Sequence, residues 1–265
     1  SNREEDVMAK KWAKFPYAEK TYAYDDAGLR KHWARLHKGD CEALPKDPNV
    51  LAAWRHFHAG EFHEAVTAGT AAGGPGVNAA VKAQVVYANY LEPAEKAKLE
   101  LLAQAAEWAD ARRKSAPKDA NAHYLYAFAL GRYSQGISIA KALAEGYGGK
   151  IKEALQTAMK LDAKHADAHI AFGSYQAEII DKVGGIVAGV TYGAKKDSAV
   201  EHYEKAIKLF PEAPIVYIEY GNGLLMLFGK GKIAEATKLY EKAAAQKPLD
   251  AMERLDVEHA KSELE

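Results

Sequence analysis

One spacing constrains this chain more than any other property. At Gly231-Lys232-Ile233-Ala234-Glu235-Ala236 a glycine-led turn opens a helix that carries the small residue Ala236. Tyr240 follows four positions later, Ala243 seven and Pro248 twelve, and the same offsets recur at Ala199, Tyr203, Ala206 and Pro211. Steps of four and seven return to one face of a helix. On that face the alanines let a second helix approach, the tyrosine fills the space between, and the proline stops the unit. The spacing therefore predicts the second helix of a repeated helical hairpin.

First helices align in the same frame. Counting from Pro117, Ala163 and Pro211, the sixth residue is His123, His169 and Tyr217, and the ninth is Tyr126, Phe172 and Tyr220. The tenth is Ala127, Gly173 and Gly221, small residues expected where paired helices cross most closely. Repeat ends are separated by 46, 48 and 37 residues. A tetratricopeptide unit has about 34. The excess falls at 133–149 and 179–195, two glycine-rich inserts between the helices of a pair. An earlier pair is read around Leu51, Trp54 and Phe57, followed by the glycine-led turn at Gly60, and all nine prolines lie at element boundaries. No β-type alternation is present.

The expected fold is all-α: tetratricopeptide-like helical hairpins in a right-handed superhelix, about five pairs plus terminal helices, two of them with enlarged inserts. Residues 1–48 are expected to form an N-terminal arm with a short helix packing on the first repeat. Residues 49–248 form the repeat domain, and 249–265 a helix capping the open end of the stack.

Charge and composition remove several function classes. Lys plus Arg and Asp plus Glu are each 36, so the balanced chain carries no overall electrostatic footprint for nucleic acid or an anionic surface. Cys41 is the single cysteine, which rules out an internal disulfide and a thiolate metal cluster. No apolar run is long enough to span a membrane. The Ser1-Asn2 start suggests a removed leader and hence an exported, periplasmic location, with a cytoplasmic one as the alternative. His56 and His58 point about 200° apart on a helix and cannot share an ion. His123 and His169 sit where the repeat demands a large packed side chain. With no nucleophile–base pattern, phosphate loop or HExxH helix, no catalysis, metal or cofactor is expected.

Two stretches carry a more specific likeness. Ala122-His123-Tyr124-Leu125-Tyr126-Ala127 leads to Gly146-Tyr147-Gly148-Gly149-Lys150-Ile151-Lys152-Glu153, and Gly173-Ser174-Tyr175 precedes a long insert and then the helix from Ala199 to Leu209. Over roughly residues 119–247 this resembles the regulator-of-microtubule-dynamics family of tetratricopeptide proteins, on the side of its bacterial relatives. Ser174-Tyr175-Gln176-Ala177 stands where that family has an aromatic-rich run. A second resemblance is to trimeric periplasmic repeat proteins associated with TRAP transporters. Both resemblances imply a non-enzymatic binding role.

In such repeats the first helices line the concave face, at positions 4, 7, 11 and 15 past the repeat end. Those are Asn121, Tyr124, Phe128 and Arg132, then Asp167, Ile170, Ser174 and Glu178, then Ile215, Ile218, Asn222 and Met226. The partner surface is expected at Tyr124, Phe128, Arg132, Ser174, Glu178, Asn222 and Met226. It would take a protein or peptide segment, or a small apolar ligand. The leading expectation is a scaffold for protein interaction; the alternative is an oligomeric ligand-binding component of a periplasmic transport system.

Overall fold

The computed structural model describes residues 11–265; the first ten residues of the expected arm lie outside them. The described residues form fourteen α-helices and two 3-10 turns, with no strand among them. Helix α1 (Asp26–Leu36) precedes five hairpins: α2 (Pro48–Ala59) with α3 (Phe62–Ala72), and α4 (Gly76–Tyr90) with α5 (Glu95–Ser115). The third pairs α6 (Ala120–Gln135) with α8 (Tyr147–Leu161), their insert folding as α7 (Ile139–Ala144). The fourth pairs α9 (Ala166–Val183) with α11 (Lys196–Leu209), with α10 (Gly185–Tyr192) between them. The fifth pairs α12 (Pro214–Phe228) with α13 (Ile233–Ala244), and α14 (Ala251–Glu263) follows. This is the tetratricopeptide-like superhelix that the spacing predicts.

Short polar side chains start the helices. Asp25, Asp47, Asp119 and Asp250 each accept a backbone N–H of the first turn, and His165 does the same with its ring at Ala168. The residue six past a repeat end fixes the entry turn from the other side. His123 Nε2 donates to the Pro117 carbonyl at 2.9 Å, and the Tyr217 hydroxyl donates to the Pro211 carbonyl at 2.6 Å.

Within pairs, the repeat residues pack as their sizes dictate. Ala199, Tyr203, Ala206, Ala236, Tyr240 and Ala243 are all buried. A Cβ on Gly173 would stand 3.0 Å from the Tyr203 ring, and one on Gly221 would stand 2.8 Å from that of Tyr240. Each tyrosine is thus seated on the glycine of its partner helix.

The two ends of the chain meet. Trp12 stacks on Tyr87 of α4 at 4.0 Å, and Phe15 packs edge-on against Phe62 of α3. Helix α1 goes further. Arg35 donates to Glu253 of α14 at 2.7 Å and lies 4.8 Å from the Phe210 ring, while Lys38 faces Glu212 at 3.7 Å. The Tyr24 hydroxyl donates to the Leu249 carbonyl at 2.7 Å, and Tyr90 of α4 donates to Asp256. Helix α14 packs on α12 and α13 and also touches α2. It is therefore more than an end cap: it joins the last pair to the first.

A buried polar row crosses this junction. His58 Nδ1 meets Asp250 at 2.7 Å, the Nε2 atoms of His58 and His37 meet at 2.9 Å, and His37 Nδ1 meets Asp40 at 2.9 Å. Lys82 donates to the second Asp40 oxygen at 2.8 Å. Lys82 offsets the charge of the Asp40 carboxylate at the end of the row. Burial pushes His37 down to about 4, against the pull of Asp40. Burial alone would raise Asp40; Lys82 and His37 hold it well below the usual carboxylate range.

Candidate functional site

Much of the concave face is taken by the chain itself. Segment 37–42 leaves α1 and runs along the starts of the first helices. Asn121 donates to Glu42, and Asp167 lies against Gly39, where a Cβ would come within 2.6 Å of its carboxylate. Position four past the repeat end is thereby engaged from within in the third and fourth pairs, while Ile215 of the fifth faces open space. What stays open is a cavity of about 160 Å³ between α6, α8 and α9. Its walls are completed by Ile139 and Leu143 of α7, Tyr192 of α10 and Met252 of α14. Both inserts therefore fold as short helices at its rim.

Five of the seven residues expected on the partner surface meet at this cavity: Tyr124, Phe128, Arg132, Ser174 and Glu178. Tyr124 and Phe128, one turn apart on α6, stack with centroids 5.7 Å apart, and the Arg132 guanidinium lies 5.7 Å from the Phe128 ring. Arg132 pairs with Glu219 of α12 at 3.3 Å. Glu219 also accepts the Ser174 hydroxyl at 2.7 Å, and Ser174 in turn meets the Tyr203 hydroxyl at 2.8 Å. Burial works against the charge on Arg132, but Glu219 holds its pKa above the ordinary arginine value. Burial raises the Glu178 carboxyl, with Glu219 adding to the effect; Gln135 donates to it.

Asn222 and Met226 lie elsewhere. Asn222 accepts the Tyr240 hydroxyl at 2.6 Å between α12 and α13, and Met226 packs beside Ala177, Ile180 and Leu227. The reason is the packing of α12. Gly221 bears on Tyr240, and Gly223 bears on Tyr203 of the preceding pair, which turns Ile215 and Glu219 toward the cavity instead.

Reading the sequence also misses Tyr175. It lines the cavity, is buried, and its hydroxyl has no hydrogen-bond partner. Burial raises its pKa, so the phenol keeps its proton and remains a donor. The hydroxyl oxygen is itself closed off, so Tyr175 adds its ring to the wall and keeps an unsatisfied donor behind it. The available signal was the Ser174-Tyr175-Gln176-Ala177 stretch, where the family pattern is broken. Among the described residues, no group of three or more His, Cys, Asp or Glu could hold a metal ion, and no helix is long and apolar enough to cross a membrane.

The family model described as Regulator of microtubule dynamics protein 1-3 matches residues 79–265, well over half of the sequence. The chain belongs to this family. Among solved structures it is similar to TTC0263, a thermophilic TPR protein in Thermus thermophilus, with 16% identity and a TM-score of 0.56. That match covers 81% of this chain and 97% of the other, and at such identity it speaks for the fold alone. No curated protein matches the chain.

Proposed function

We propose that this chain is a non-enzymatic binding module that receives an apolar segment of a partner protein in the cavity between α6, α8 and α9. The observation that carries the reading is a cavity whose aromatic and apolar walls, among them Tyr124, Phe128 and Ile139, stand beside the Arg132–Glu219 pair. Aromatic walls supply the anchoring surface, and the polar floor fixes the orientation of whatever enters. Membership in a helical-repeat family supports a binding role over a catalytic one.

Gly131 provides the test. It lines the cavity, and a Cβ there would meet nothing within 4 Å. Gly131→Leu points a side chain into the cavity from a position where its Cβ meets nothing, and replaces a weak helix former by a strong one, so the fold should hold. A photo-crosslinking residue at Phe128 should capture a protein partner from native extract, and Gly131→Leu should abolish capture with helical content unchanged. Undiminished capture by that variant would refute the reading.

A second reading, a small apolar ligand, is favoured by one observation: segment 37–42 leaves a bounded cavity and not a groove running the length of the concave face. Solvent extraction and mass spectrometry of the purified protein distinguish the two.

A further inference from the structure

In a stack of helical hairpins, the turns from first to second helix emerge along one edge. Three successive pairs here expose apolar side chains at that turn. Ten large hydrophobic residues are exposed among the described residues, and seven lie on these connections. They are Ile139 and Leu143 on α7, Ile186, Val187 and Val190 on α10, and Phe228 and Ile233 around the 3-10 turn Gly229–Lys232. Exposed apolar residues are ordinary when scattered. Concentration on one edge needs a cause.

Helix α10 is the clearest case. It is held by Ala188, fully buried in a cluster with Ile180, Ala199 and Leu227, and by the Tyr192 carbonyl, which accepts the Lys152 ammonium at 2.6 Å. Residues two apart on a helix face opposite ways. Burying Ala188 therefore turns Ile186 and Val190 outward, and each is 85% exposed. A helix needed only to wall the cavity would be satisfied by polar residues at those positions.

The charges around these side chains say what covers them. Residues 182–196 hold Lys182, Lys195 and Lys196 and no carboxylate; residues 228–234 hold Lys230 and Lys232 and none. Asp181 and Asp197 stand just outside the first stretch, and Lys232 pairs with Glu235. The ammonium groups of Lys196 and Lys232 lie 5.4 and 5.8 Å from the Phe228 ring, which brings the two stretches together. The chain is neutral as a whole, yet this edge is locally cationic. Separate aliphatic knobs among lysines suit an interface between headgroups and acyl chains.

We propose that this edge docks on an anionic lipid surface, with Ile186 and Val190 inserted and Lys182, Lys195 and Lys196 against the headgroups. The test is flotation of the full chain with phosphatidylcholine vesicles, with and without phosphatidylserine. Wild type should bind the mixed vesicles, and on the order of tenfold less to phosphatidylcholine alone or at high salt. Ile186→Ser with Val190→Ser should weaken binding about tenfold or more. Lys195→Glu with Lys196→Glu should do the same, whereas Lys160→Glu, on a different element, should not. All of these positions are exposed or half-buried, so the circular dichroism and Tm of the variants should match wild type. Absence of wild-type binding to either vesicle overturns the proposal, as does binding that survives the serine pair. Self-association in place of vesicle binding, lost in the serine pair, would overturn it in favour of a protein partner.

Discussion

Tyr203 depends on two missing side chains. Its ring sits on Gly173 of its own pair and on Gly223 of the next, where a Cβ would come within 3.0 and 2.5 Å of its side chain. Tyr240 depends in the same way on Gly221. Gly173→Leu or Gly221→Leu should therefore cost about 1–3 kcal/mol through overpacking, read as a lowered Tm. The third pair solves the same problem with other sizes: Leu155 stands at the tyrosine position and Ala127 at the small one, both buried. These contacts were legible in the sequence because they obey a local period. Glu42 obeys none. It is buried beside Asn78 and Asn121, and its carboxyl is pushed up to about 8, first by burial and then by Asp40 and Asp119. A carboxyl raised from 4.5 to about 8 costs stability as pH rises through that window, because the unfolded chain ionises first. Glu42→Gln should therefore raise Tm, with a gain that grows from about pH 5 to about pH 8.

At the scale of elements, the positions of the inserts could be read and their contents could not. Helices of six and eight residues do not persist alone, so α7 and α10 leave no amphipathic signal and exist by tertiary contact. Lys152 supplies the main polar contact for α10: its ammonium donates to the Tyr192 carbonyl at 2.6 Å. Lys152→Met should remove that charged hydrogen bond at a cost of about 1.5–3 kcal/mol. Hydrogen exchange should then quicken across Gly185–Tyr192 while α13 keeps its protection. The same limit explains the site. Five of its residues follow from the repeat frame on α6 and α9, but the rotation of α12 that withdraws Asn222 and Met226 and brings in Glu219 is set by two glycine contacts from different pairs.

Across the whole molecule, the decisive contacts join residues about two hundred positions apart, such as His58 to Asp250 and Arg35 to Glu253. No periodicity announces such pairs, and His58 is a buried link in a row that a reading of local spacing does not find. Asp250→Ala removes one carboxylate from that row and the cap of α14, and should cost about 3–5 kcal/mol. Calorimetry should show the single transition of the closed molecule broaden or split as the C-terminal pairs lose their hold on the arm. An open solenoid can grow by copying a unit, since each repeat answers only to its neighbours. Here a sixth pair inserted anywhere between α1 and α14 would part Arg35 from Glu253 and Tyr24 from Leu249. The junction thus counts the repeats, and five pairs satisfy it.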